Sequence, residues 1–343
     1  MNGRGPEDNA VPHAWPRFDE LGADGATPPG SSWGVFGDDD QRGTINFLTA
    51  DRVHAATTLV RHGAVYGLDY PINHFTPYWS GTREAARHHV FSNSDNHHDD
   101  YLDGFYLQAT TQVDGLRHIG DPQHGFYGGR TRAELAPDGP AIGIQNWSES
   151  GIVGRGVLLD VERHFRETGR FLDPRSTYGI TTDDLEDTAG AHGVELRGGD
   201  ILLVRTGWAG HYLELDHAGR ERFNADFRSP GLAHTVDVVR WLWDHQVAVV
   251  AADNVGVEAF PVPGPRSDYY VESEERAPRG PDHRGMLHRP LIALLGMALG
   301  ELWNLDPLAE ACAADRTYDF LVTCKPLHLI GGVGSPANAI AIR

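Results

Sequence analysis

The 343-residue sequence predicts an α/β fold, and three observations carry that reading. Short apolar runs bounded by glycine recur at Val157 to Val161 and Ile201 to Val204, with a third run at Val247 to Ala252. Runs of this kind mark strands buried on both faces. Helix signals fall between and beside them. Thr182-Asp183-Asp184 opens one helix, and Ser229-Pro230 offers a serine cap with proline in the first turn, where its missing N–H costs nothing. Leu232, Val236, Val239 and Leu242 or Trp243 then recur at helical spacing. Helices alternating with buried strands define the class.

The elements follow in order. Residues 1–30, rich in Gly, Pro, Asp and Ala, read as an arm ordered only by docking. The remainder, 31–343, reads as a single domain, because no linker separates two. Thr49 can cap a helix to about Leu59, and a short strand at Ala64 to Leu68 follows. The Asn-, His-, Ser- and Asp-rich stretch 71–100 reads as an irregular loop and candidate lid, leading into a strand near Gln108. Gly120 to Gly129 is turn-forming. The stretch 261–282 contains five prolines and predicts a surface insertion. Leu291 to Leu295 fits helix or strand. Asp306-Pro307 caps a helix to Ala314, and strands return at Tyr318 to Thr323 and Ile340 to Ile342.

Composition narrows the partners. A net charge of −19 and a pI near 5.3 argue against nucleic acid or an anionic membrane, both of which would repel the average surface. No apolar run reaches the roughly 18 residues needed to span a bilayer. The N-terminus also lacks the basic and apolar pattern of a secretory signal, so a cytoplasmic location is expected. The two cysteines, Cys312 and Cys324, read as buried reduced thiols. A small-molecule substrate is the expected partner.

The segment from Leu107 to His118 carries the chemistry. Gln108, Gln112, Asp114 and His118 occupy even positions, so an extended backbone would point all four the same way. Two amides, a carboxylate and an imidazole suit a polar pocket, and a metal ion held by oxygen and nitrogen. Elsewhere, Asp253 and Glu258 form an acidic group at a strand end, where α/β enzymes place functional side chains. Either is a candidate catalytic group, or equally a helix cap or salt bridge. Asn254 could orient a substrate carbonyl. His124 could line the pocket, and Arg205 could bind a substrate carboxylate or anchor a loop. Gly331 to Pro336 lacks the lysine and helix of a phosphate loop and reads as a tight turn near the pocket or a subunit contact.

Gln108-x3-Gln112-x-Asp114-x3-His118 resembles the signature of the cyclase family, metal-dependent hydrolases that include kynurenine formamidase-like and isatin hydrolase-like enzymes. The family pattern is His-x-Gly-Thr-His-x-Asp-x-x-x-His. Thr111, Asp114 and His118 match it, Ala109-Thr110 replaces x-Gly, and Gln108 and Gln112 stand where histidines usually bind metal. Further similar motifs are Trp33-Gly34, Arg42 to Thr49, Gly154 to Asp160, Gly199 to Trp208, Ala252-Asp253-Asn254 and Gly331 to Pro336.

The resemblance implies a swivelling β/β/α-type fold with a mixed central sheet or barrel, assembled as a homodimer or homotetramer. It implies a metal site of Asp114, Gln112, Gln108, His288 and Glu301, holding Mn or Zn, with His118 relaying protons. The implied reaction is hydrolysis of an amide, lactam or lactone in a small cyclic or aromatic metabolite. The two glutamines weaken a zinc site more than a manganese one. They also motivate an alternative, a metal-independent cyclase, dehydratase or isomerase of secondary metabolism that uses His118, and a third class, a binding protein without activity.

Overall fold

The computed structural model describes residues 15–276 and 280–343. In chain order the strands are β1 (Val65–Gly67), β2 (Arg87–Ser94), β3 (His97–Asp103), β4 (Gln112–Asp114), β5 (Ile152–Asp160), β6 (Gly179–Ile180) and β7 (Ile201–Arg205). They continue with β8 (Gly231–Leu232), β9 (Val249–Ala252), β10 (Ala298–Glu301), β11 (Asp319–Cys324), β12 (Gly334–Pro336) and β13 (Ala339–Ile342). The α-helices are α1 (Ala50–Thr57), α2 (Gln145–Ser150), α3 (Val161–Glu167), α4 (Thr182–His192), α5 (Trp208–Glu214), α6 (His217–Ala225), α7 (Val236–Asp244) and α8 (Asp306–Asp315).

Nine strands form one curled half-barrel sheet in the order β1-β13-β11-β5-β7-β9-β10-β4-β12. Its centre, β5-β7-β9-β10, is parallel, and antiparallel strands flank it on both sides. The expected α/β class is what the chain adopts. The parallel strands carry the apolar runs, with Val157 to Leu159, Ile201 to Val204 and Val249 to Ala252 fully buried. Helices α3 and α4 pack beside them and α7 packs against α4, burying Val238, Val239, Leu242 and Trp243. Burial of such side chains stabilises by roughly 1.5–3 kcal/mol each.

Two local expectations are corrected, and one open choice between helix and strand is decided for helix. Ser229-Pro230 does not open a helix, because Ser229 exchanges backbone hydrogen bonds with Phe260 and Leu232 N–H donates to Val257. The segment is thereby committed to bridges, and Thr235 caps α7 instead, accepting from Val238 N–H. The presumed loop 71–100 contains β2, which pairs with β3 as a hairpin exposed on both faces. Its polar residues pair across the strands, as His88 Nε2 does with Asp100 Oδ2 at 2.7 Å, so no apolar alternation announces it. Leu291 to Leu294 lies in a π-helical turn, Arg289–Leu294, and the strand begins only at Ala298.

Residues 15–30 dock through Trp15, whose ring lies 5.1 Å from Phe36, and through Pro16, whose carbonyl accepts from Trp243 Nε1 at 2.8 Å. Residues 1–14 of the arm, and 277–279 of the proline-rich stretch, lie outside the described residues. No helix among the described residues is long and apolar enough to cross a membrane. Cys312 and Cys324 are buried and free. Burial pushes the Cys312 thiol up to about 12 and raises Cys324 as well, which suppresses the reactive thiolate. An aromatic disulfide reagent should therefore label neither thiol in the native protein and both after denaturation; rapid native labelling would contradict the packing.

Candidate active site

The site forms where β4 inserts antiparallel between β10 and β12, beside the carboxyl ends of β9 and β10. Register sets Gln112 opposite Glu301 and Asp114 opposite Leu299 on one side and Gly334 on the other. Alternation then puts Gln112 and Asp114 on one face. Gly334 has a specific use here. A Cβ at that position would lie 2.7 Å from Gln108 Nε2 and 3.3 Å from Asp114 Oδ1, so glycine leaves room for both groups.

The extended strand is shorter than the sequence pattern suggests. Gln108 precedes it in a turn, its carbonyl accepting from Tyr78 Oη at 2.9 Å and from Arg83. His118 returns through a turn closed by its own N–H to Gly115 O at 2.9 Å. Arg117 fixes that turn by donating to the carbonyls of Ala136, Ala141 and Gly331. The motif residues converge, but by turns as well as by strand alternation.

His288 enters from the start of the π-helical turn. Its Nδ1 lies 2.5 Å from Glu258 Oε1, and its Nε2 lies 3.1 Å from Glu301 Oε1 and 3.9 Å from Asp114 Oδ2. Gln112 Nε2 donates to Glu301 Oε2 at 2.6 Å. Behind His288, Glu258 also accepts from Leu287 N–H at 2.5 Å and His288 N–H at 3.3 Å, and lies 2.8 Å from His234 Nε2. His234 gave no signal in the sequence, being a lone histidine before a helix. Val257, next to Glu258, is a β-branched residue held at φ 61°, a conformation its surroundings must impose.

Electrostatics follow from this burial. Desolvation opposes charge on His288, but its bonds to Glu258 and Glu301 outweigh that and raise its pKa to about 10. Desolvation likewise opposes charge on Glu258, yet His234 and His288 hold it down at about 2. Asp114 is pushed well above the usual carboxylate range by burial and by Glu301. His118 is held well below its usual value by burial and by the positive field of His288 and Arg83, so it is a neutral base.

Both oxygens of Asp114 and Oε1 of Gln112 are buried with no hydrogen-bond partner among the described residues. Buried polar atoms are nearly always paired, so three orphaned oxygens side by side ask for a cation. Asp114, His118 and His288 offer ligand atoms within 4.8 Å of one another and could hold a metal ion. The residues fit the group. Glu258 behind His288 is the carboxylate that commonly orients a metal-binding imidazole.

A cavity of about 290 Å³ opens on His118, Gln112, His288 and Glu301, and Trp79, Phe260 and Met286 contribute its apolar wall. Trp79 is wedged 4.3 Å from Phe227 and 5.4 Å from Phe260. Four sequence candidates lie elsewhere. Asp253 is consumed by Thr206 and Gly207, whose backbone N–H groups and the Thr206 hydroxyl donate to it at 2.7–2.8 Å. Arg205 pairs with Asp160, Glu162 and Asp306, so it anchors a loop instead of facing the cavity. His124 is exposed in the turn from Asp121 to Gly125. Asn254 Nδ2 donates to Ser229 Oγ and to the carbonyls of Pro230 and Glu258, bracing the loop that carries Glu258.

Comparisons with known proteins bear on the family and the fold. Residues 66–259 match the Cyclase family model. A crystal structure described as a novel cyclase is 32% identical, with a TM-score of 0.78, covering 91% of this chain and 99% of its own. An isatin hydrolase bound to the product analogue thioisatinate shares the fold at 18% identity and TM-score 0.53, covering 86% of this chain and 98% of its own. Isatin hydrolase A from Labrenzia aggregata, bound to benzyl benzoate, does so at 18% identity and TM-score 0.53, covering 83% and 94%. No curated protein matches. The family model spans more than half of the chain and the novel cyclase matches nearly all of it, and the chain therefore belongs to the cyclase family.

Proposed function

We propose that the chain is a metal-assisted hydrolase that opens an amide, lactam or lactone bond in a small cyclic or aromatic molecule. The observation that carries this reading is the set of orphaned oxygens on Asp114 and Gln112, Asp114 lying 3.8 Å from His118 Nε2 and both Gln112 and His118 lining an aromatic-walled cavity. Structures of isatin hydrolases that share the fold support the reaction class. Asp114, Gln112, His288 and Glu301 would hold the ion, with Gln108 beside them. This oxygen-rich set suits Mn²⁺ better than Zn²⁺. When bound, such an ion lowers the pKa of water and polarises a carbonyl.

The chain's own groups do the rest. Trp79 and Phe260 pack the ring and exclude water. His118, the most accessible of the three ligand-capable groups with its side chain 20% exposed, takes a proton from the attacking water at Nε2. As the new C–O bond forms and the scissile bond breaks, it returns that proton to the leaving nitrogen or oxygen. Glu258 keeps His288 oriented throughout. His118→Ala should keep its metal and lose roughly 10²- to 10⁴-fold in turnover. Loss of the metal together with turnover would reassign His118 as a ligand.

A second reading has one observation in its favour. His288, with its raised pKa, supplies positive charge among Glu258, Glu301 and Asp114 without any ion. Metal-independent cyclase, dehydratase or isomerase chemistry at His118 would follow. Full activity after chelation would select it, and activity restored only by Mn²⁺ or Zn²⁺ would reject it.

A further inference from the structure

We propose that Arg83 selects a substrate bearing its own carboxylate, separate from the bond that is cleaved, on an aromatic or heteroaromatic ring. This rests on the reading of the 290 Å³ cavity as the active site. Arg83 lines that cavity and also a second, outer one of about 450 Å³, together with Trp79 and His283. One nitrogen, Nη1, is anchored, donating to Tyr78 Oη at 2.6 Å and to the Gln108 carbonyl. The guanidinium also lies 5.0 Å from the Tyr78 ring centroid. Its Nε and Nη2 make no hydrogen bond to the described residues, and no carboxylate among them lies within ion-pair distance.

The contrast with the other partly buried arginines is informative. Arg155, Arg163, Arg205 and Arg289 are each matched to an aspartate or glutamate. Arg42, Arg52, Arg117, Arg130 and Arg220 are held by neutral oxygens as Arg83 is, but none of those five lines either cavity. Arg83 is pinned in place by neutral oxygens, with two donor groups left for an anion. In a chain of net charge −19, whose general field repels anions, an unmatched cation between the two cavities admits one locally. The aromatic wall made by Trp79 and Phe260 then sets the rest of the ligand. The reacting group would sit over Asp114 and His118 and the carboxylate tail at Arg83.

The test compares benzoate with its neutral isostere benzamide by titration calorimetry on the protein as purified, on R83Q, on R83K and on D114N. Benzoate should bind the parent protein roughly 10- to 100-fold tighter. That preference should vanish in R83Q, shrink in R83K, which keeps the charge but not the fork, and persist in D114N. A preference that survives R83Q, or that disappears in D114N alone, would place the carboxylate on the ion and overturn the role of Arg83. The binding readout stands whether or not the protein hydrolyses anything. For activity, R83Q should raise KM for a carboxylated lactone while changing kcat little. An equal kcat loss on the uncarboxylated lactone would mean that Arg83 handles the carboxylate released by the reaction, and would overturn the proposal.

Discussion

Replacing Asp114 with asparagine should remove activity and metal while leaving the metal-free fold as stable as before or more so. The parent should carry about one equivalent of divalent metal per chain, and the variant background only, with turnover down at least about 10³-fold. The stability half of the prediction comes from burial. Asp114 is fully buried, its two oxygens lack hydrogen-bond partners among the described residues, and Glu301 stands nearby, so without a cation its charged form is strongly disfavoured. Asparagine resembles the protonated acid. Its pKa being raised, native Asp114 keeps a proton at pH values where the unfolded chain has released it. Stability of the metal-stripped parent is therefore greatest below the ordinary carboxylate range and falls as pH rises toward the folded pKa. D114N should lack that decline. Urea midpoints of chelated protein across pH would show it, and a variant that is less stable than the chelated parent at neutral pH would contradict the account.

Glu258→Gln should instead damage the fold. The carboxylate receives Leu287 N–H, His288 N–H and His288 Nδ1, and stands 2.8 Å from His234. A single amide oxygen cannot serve four such neighbours, and the amide nitrogen would face donors. Breaking a buried ion pair in this way costs about 3–5 kcal/mol. The thermal midpoint should fall by roughly 4–7 °C. In the metal-stripped protein the pKa of His288 should fall too, since Glu258 is its foremost partner, and proton NMR of the ring would follow it. A variant within about 1 kcal/mol of the parent would show that Glu258 is merely a space-filler.

The residues that sequence reading found are those whose environment is written locally. Val157 to Leu159 and Ile201 to Val204 are apolar throughout because both faces of a parallel strand are covered. Gln112 and Asp114 were visible by alternation, although the strand under them is only three residues long. His288 and Glu301 came from the resemblance alone. Nothing near Glu301 distinguishes a buried strand end from a helix surface, because its partner Gln112 is distant in sequence. His234 escaped entirely, and Trp79 and Arg83 were covered only by the reading of 71–100 as a candidate lid, since each matters through neighbours that the fold supplies. Asp253 and Arg205 were misleading for the converse reason: acids and arginines at strand ends also serve as braces, and local sequence does not separate the two uses.

The short strand β4 has one more consequence, for biogenesis. It carries Gln112 and Asp114, yet its neighbours β10 and β12 are among the last parts of the described chain to be made. At about 5–20 residues per second, Asp114 waits on the order of tens of seconds after its own synthesis before Gly334 exists to lie beside it. Its carboxylate spends that interval hydrated. Desolvation of the motif is thus deferred to the closing moment of assembly, when a cation can be captured by the same event that seals the half-barrel.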